Sequence, residues 1–339
     1  MNSPALFLGA FLLPPTARRR TGFMAAAAAV VILLLAWPGG CVRANTRTPR
    51  SWQTIRDEMG RTLRVRIPVE RVVALAPSAA DTLFALGACR QVVAVTAYAD
   101  CPAAVAPCRR VGQPLSPSLE MIASLEPDLV VAARTANRRE TVAALDRMGV
   151  PVYVTDEHSV GDIVRTVRAL GVLLGMPEAA AGLALRMEKQ LEAIRTRLAG
   201  RPPRRVLFVV WVDPLITAGP RTFITDALRI AGAVPAVQVR GDWPHLSLEQ
   251  VVLAQPEYLI FPAATPASRQ HLLDELRRRP GWNDLQAVQQ GGIVIVEESF
   301  NRPSPRLIGQ IAALARALHP EAFADLPQLP AVEEEPCGR

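Results

Sequence analysis

Residues 117–131, "PSLEMIASLEPDLVV", and residues 246–260, "LSLEQVVLAQPEYLI", carry one phrase twice. Each runs Ser-Leu-Glu, a short helical stretch, Pro followed by an acidic residue, and then an apolar run. Ser118 and Ser247 stand 129 residues apart, far beyond the roughly 20–50 residues of a solenoid repeat. A Ser at a helix N-cap accepts an N–H of the first turn, worth about 1 kcal/mol, and a Glu in that turn meets the positive end of the helix dipole. Ser247 and Gln250 have the spacing of a capping box. Capping explains which residue types stand there. It leaves open why the same helix start recurs in each half of the chain, and a structural unit used twice answers that.

The flanking sequence has the same rhythm. "RVVALAPS", "QVVAVTAY", "DLVVAAR" and "VPVYVT" are short β-branched runs bounded by Pro, Gly or Asp, as strands are. "AADTLFALGA" and "RRETVAALDRMG" have helical spacing and stop at Gly. At residue 159 the alternation gives way to about forty helix-forming residues, broken at most once at Gly175-Met176-Pro177. It then restarts with "RRVLFVVW", "FITDALRIAGA", "EYLIFPA" and "GGIVIVEE". Strands alternating with helices predict mainly parallel sheets. The expected fold is α/β, with two Rossmann-like lobes joined by one long helix and a ligand cleft between them. The predicted segments are an export signal over 1–41, a tether or initial strand over 42–60, a first lobe over 61–158, the linking helix over 159–200, a second lobe over 201–320 and a tail over 321–339.

Composition narrows the function. The formal charge of +7 is scattered Arg rather than a basic stripe with interleaved aromatics, which argues against nucleic acid as partner. "TARRRTGFMAAAAAVVILLLAWPGGC" reads as a positive region, an apolar core and small residues before Cys41, the pattern of an export signal. Gly39-Gly40-Cys41 resembles a bacterial lipoprotein box, so the start is either lipidated on Cys41 or cleaved nearby; an anchoring helix is the other reading. Export makes a disulfide between Cys101 and Cys108 chemically accessible, against the alternative of two free thiols, and leaves Cys89 and Cys337 over. Four histidines, His158, His245, His271 and His319, show no zinc-helix spacing, and no nucleophile elbow, P-loop or dinucleotide fingerprint occurs. The chain is therefore expected to bind a solute rather than to catalyse, with no resident cofactor.

"RVVALAPSAADTLFALGA", "VTAYADCP", "VGQPLSPSLEMIASLEPDLVVA", "WPHLSLEQVVLAQPEYLIF", "RPGWNDLQAVQQGGIVIV" and "NRPSPRLIGQIAALARALHP" together resemble the substrate-binding proteins of ABC importers for cobalamin and ferric siderophores. The resemblance spans about residues 61–320. It implies a rigid linking helix, a monomer outside the cytoplasm, a metal-chelate ligand and a permease dimer as partner. Cobalamin is the leading ligand, a ferric siderophore or haem the runner-up, and bare Zn²⁺ or Mn²⁺ the least favoured. Ligands of open α/β sheets bind at the carboxyl ends of strands. The matching positions are Pro77, Ser78, Tyr98, Gln113 and Pro114 in the first half, and Trp211, Asp213, Trp243, Asn301, Arg302 and Arg306 in the second. Pro114 stands where cobalamin binders can carry Trp. His245 follows Trp243-Pro244, where the family often has Gln, and is either an axial donor to the metal or a solvated loop residue. Arg306 either meets the ligand or pairs with a carboxylate. The resemblance also makes Glu120 and Glu249 the docking carboxylates that face arginines of the permease.

Overall fold

A computed structural model describes residues 50–102, 108–263 and 269–325. The export signal, Cys41, Cys337 and the end of the tail lie outside the described residues. The chain opens with a hairpin of β1 (Ser51–Arg56) and β2 (Thr62–Ile67). Its turn is built by Asp57, whose buried Oδ1 accepts the N–H groups of Met59 and Arg61, with Gly60 at a φ of 76°. Residues 51–56 are thus the initial strand rather than a tether, with "SWQTIR" pairing across the five-residue connection 57–61.

The first sheet holds β3 (Val72–Ala74), β4 (Val92–Val95), β5 (Leu129–Ala133) and β6 (Val152–Thr155), in the order β4-β3-β5-β6 and parallel throughout. The second holds β7 (Arg204–Phe208), β8 (Ala233–Pro235), β9 (Tyr258–Ala263) and β10 (Ile293–Glu297), in the order β8-β7-β9-β10, also parallel. Counted within its own lobe, each sheet has the order 2-1-3-4. The repeated phrase supplies the third strand of both, with its helix as the crossover: α2 (Leu119–Ser124) before β5 and α7 (Leu248–Ala254) before β9. The remaining helices are α1 (Pro77–Ala85), α3 (Arg139–Arg147), α4 (Val160–Leu173), α5 (Pro177–Leu198), α6 (Phe223–Ile230), α8 (Arg269–Arg278), α9 (Gln286–Gln289) and α10 (Arg306–Leu318).

Both faces of the first sheet are buried, as parallel sheets require. On β3, Val72 and Ala74 enter the large core shared with α4, α5 and α10, whereas Val73 and Leu75 enter the smaller core beneath α2 and α3. The forty-residue helical stretch is two helices rather than one. Gly175 at a φ of 71° closes α4 and Pro177 opens α5, the residue types favoured at those ends. The helices pack so closely that a Cβ on Gly171 would lie 2.1 Å from the Ala180 Cβ. The 22-residue α5 then runs about 33 Å into the second lobe as the single long link. The start of the tail packs back on α5. Phe323 is buried beneath the guanidiniums of Arg197 and Arg316, and Arg197 pairs with Asp325 at 2.8 Å. Cys101 and Cys108 form a disulfide with their Cα atoms 6.3 Å apart. Cys89 is disulfide-bonded as well.

Candidate functional site

In a sheet of order 2-1-3-4 the first and third strands are neighbours whose chains depart toward opposite faces, leaving a crevice at their carboxyl ends. In the first lobe that crevice lies between Pro77 and Ser78, after β3, and Thr135 and Ala136, after β5. One side chain braces it. Asn137 accepts the Ala133 N–H at 2.8 Å and donates to the carbonyls of Leu75 at 2.9 Å and Pro114 at 2.8 Å. The second lobe presents Val210 after β7 and Glu298, Asn301 and Arg302 after β10.

These ends face one cleft of about 390 Å³. Of the residues singled out from the sequence, Pro77, Ser78, Tyr98, Trp243, Asn301 and Arg302 line it. Tyr98 and Trp243 offer aromatic surface from opposite lobes, 67% and 40% exposed. Tyr98 sits at a φ of 68°, a left-handed backbone that costs a non-glycine residue on the order of 1 kcal/mol. The buried Oδ1 of Asn301 takes no hydrogen bond from any described residue. Such an orphan acceptor favours a ligand that donates an N–H or O–H.

The other predicted residues stand elsewhere. Gln113 and Pro114 belong to a small ribbon pairing Gly112–Gln113 with Ser116–Pro117, where the Pro114 carbonyl receives the Asn137 amide. Trp211 lies on a second ribbon, paired with Ile216, and its indole N–H donates to the Asp213 carbonyl at 2.7 Å. His245 bridges to Ile216 on that ribbon and does not line the cleft. Arg306 meets carboxylates, not the cleft. Its guanidinium is 3.3 Å from Asp100 and 3.8 Å from the buried Asp81, and Arg302 reaches the same pair at 2.8 and 3.8 Å. These ion pairs tie α10 and the turn before it to the first lobe. Sequence reasoning missed Thr135, Ala136, Phe223, Glu298 and Asn137. "AARTANRRE" sits directly after a predicted strand, and that position is the signal that would have found three of them.

Two further features frame the site. Below Thr155, burial pushes the Glu157 carboxyl up to about 8, with the neighbouring Glu58 charge adding to the shift. Burial raises Glu58 as well. On the outer helices, Ser118 accepts the Met121 N–H and Ser247 the Gln250 N–H, each at 3.3 Å, with the Gln250 side chain closing the capping box. Glu120 and Glu249 ride exposed on the first turns of α2 and α7. The Glu249 carboxyl is held below its ordinary range by its own backbone N–H and then by the Ser247 hydroxyl.

A family model for periplasmic binding proteins matches residues 72–299, both sheets and the link between them. The chain belongs to this family. Within the periplasmic binding proteins it is 27% identical over 246 residues to the vitamin B12-binding protein of Vibrio cholerae serotype O1, covering 72% of this chain and 87% of that one. The crystal structure of a periplasmic vitamin B12-binding protein of Vibrio cholerae superposes with a TM-score of 0.66 at 26% identity, covering 75% and 98% of the two chains. The periplasmic haem-binding protein of Roseiflexus sp. RS-1 superposes equally well, with a TM-score of 0.67 at 28% identity over 75% and 99%. The chain is thus a solute-binding protein of the class that includes vitamin B12 and haem binders. No helix of the described residues is long and apolar enough to cross a membrane.

Proposed function

We propose that this periplasmic binding protein captures a corrinoid of the cobalamin type in the interlobe cleft and delivers it to the permease of an ABC importer. The orphan acceptor of Asn301 carries the reading. A corrin ring is fringed with primary amides whose N–H groups can satisfy it, while Tyr98 and Trp243 supply aromatic surface for the macrocycle. A haem periphery offers vinyl, methyl and carboxylate groups, none of which donates at neutral pH. Haem is the second reading, supported by the 28% identity to a haem-binding protein and by the exposed Tyr98 phenol. A ferric siderophore stands with it, since ligand choice on this fold rests on a few loop residues. Bare Zn²⁺ or Mn²⁺ is disfavoured: no group of three or more His, Cys, Asp or Glu able to hold a metal occurs among the described residues.

Delivery uses Glu120 and Glu249, matched carboxylates on the two lobes that steer docking onto a basic permease face. The folded part lies outside the cytoplasm, its start either lipidated on Cys41 or cleaved nearby. The test of ligand choice is a tryptophan-fluorescence titration with cyanocobalamin, haem and a ferric siderophore in parallel. Saturable quenching by cyanocobalamin at the lowest concentration is expected. Saturation by haem or the siderophore alone would replace the corrinoid reading.

A further inference from the structure

Beside the cleft is a second depression of about 580 Å³, lined by Arg134, Arg139, His158 and Asp156 from the first lobe and by Arg221 and Asp242 from the second. Three chain segments line both hollows. Arg134 precedes Thr135, Arg221 lies two residues before Phe223, and Asp242 precedes Trp243. The depression therefore adjoins the cleft as an annex.

Its charge differs from that of the cleft. The cleft sets Glu298 against Arg302, whereas the annex holds three guanidiniums against two carboxylates and a histidine. Asp156 accepts from Arg134 and stands 3.2 Å from His158 Nε2, whereas Asp242 stands 3.6 Å from Arg221 and its Oδ1 takes no hydrogen bond from a described residue. Asp156 fixes Arg134 by a hydrogen bond, while Arg221 and Arg139 are exposed. His158 links the halves of the annex, with Nε2 toward Asp156 and Nδ1 3.2 Å from the Arg221 carbonyl. Three guanidiniums against two carboxylates leave a surplus positive charge that suits an oxyanion, since guanidinium forks bind phosphate and carboxylate in two-point fashion.

We infer that the annex formed by Arg134, Arg139, Arg221 and His158 is an anion subsite, which takes a phosphate or carboxylate arm of the ligand whose flat body occupies the cleft. This rests on the metal-chelate reading above and adds that the ligand must carry an oxyanion at its edge. For a corrinoid the arm is the phosphodiester of the nucleotide loop. For haem it is a propionate.

The experiment compares wild type with the double variant R139A/R221A, both at exposed positions, for ligands with and without the arm. Cyanocobalamin is set against dicyanocobinamide, which lacks the nucleotide loop and its phosphodiester, and haem against haem dimethyl ester. Loss of charge-assisted hydrogen bonds should weaken the arm-bearing ligand about tenfold or more and leave its arm-less partner unchanged. An effect confined to the corrinoid pair identifies the arm as phosphodiester, and one confined to the haem pair identifies it as carboxylate. Equal losses within a pair, or no loss, would overturn the annex while leaving the cleft reading intact. If wild type binds none of the four, the metal-chelate reading falls and the annex with it.

Discussion

At the scale of single residues, the buried pair Glu58 and Glu157 makes the fold sensitive to alkali. A carboxyl raised from 4.5 to about 8 holds its proton more tightly folded than unfolded. Its contribution to stability is fully present below the unfolded value near 4.5 and is lost as pH rises through about 8. The limiting slope is about 1.4 kcal/mol per pH unit per proton. Glu157→Gln should therefore flatten the decline in stability between pH 5 and pH 8.5, and raise the urea midpoint at the alkaline end relative to wild type. Parallel urea curves at the two pH values check this; an unchanged decline would show that Glu157 ionises freely. His158, one residue on, is exposed and stands between a carboxylate and a carbonyl.

Among elements, the packing of α4 on α5 carries a strict geometric constraint. Gly171 meets Ala180 where any Cβ would overlap, so Gly171→Ala must spread the helix pair or bend one of them. Overpacking of this kind costs about 1–3 kcal/mol, read as a lower melting temperature with the unfolding cooperativity retained. The helix starts of the repeated phrase carry less: removing one Ser cap costs about 1 kcal/mol. The forty-residue helical stretch was legible in sequence down to its break. Its division of labour was not, because whether a Gly-x-Pro step merely kinks a helix or folds it back depends on what the two halves pack against. Here Gly171 and Ala180 permit the closest approach.

On the scale of the whole molecule, the two sheets of equal strand order put α2 and α7 in equivalent positions on the two lobes. Reversing both charges, E120R/E249R, should leave cyanocobalamin binding unchanged and abolish its uptake in proteoliposomes carrying the partner permease. Either single reversal should give an intermediate rate, because exposed carboxylates act on encounter and orientation more than on net affinity. Unchanged uptake by the double variant would reduce the phrase to helix capping alone. The ion pairs of Arg302 and Arg306 with Asp81 and Asp100 belong to this scale too, since they join the lobes behind the cleft.

What the sequence determined by itself was everything local or periodic. The α/β alternation, the duplicated strand-helix unit and the loops after strands were readable because hydrophobic period and capping act within a few residues. Pro77, Ser78, Tyr98, Trp243, Asn301 and Arg302 were singled out for that reason, and they line the cleft. What only the tertiary structure decided depends on contacts between distant segments. Arg302 was read as a ligand contact and Arg306 as either a ligand contact or half of an ion pair; both meet an aspartate some two hundred positions away, which no local signal specifies. Trp211, His245 and Gln113 lie at strand ends in sequence and are carried aside by short ribbons. The annex draws Arg134, His158 and Arg221 together from three separate segments, and no local signal connects them, since electrostatic fit is set by distance in space and not along the chain.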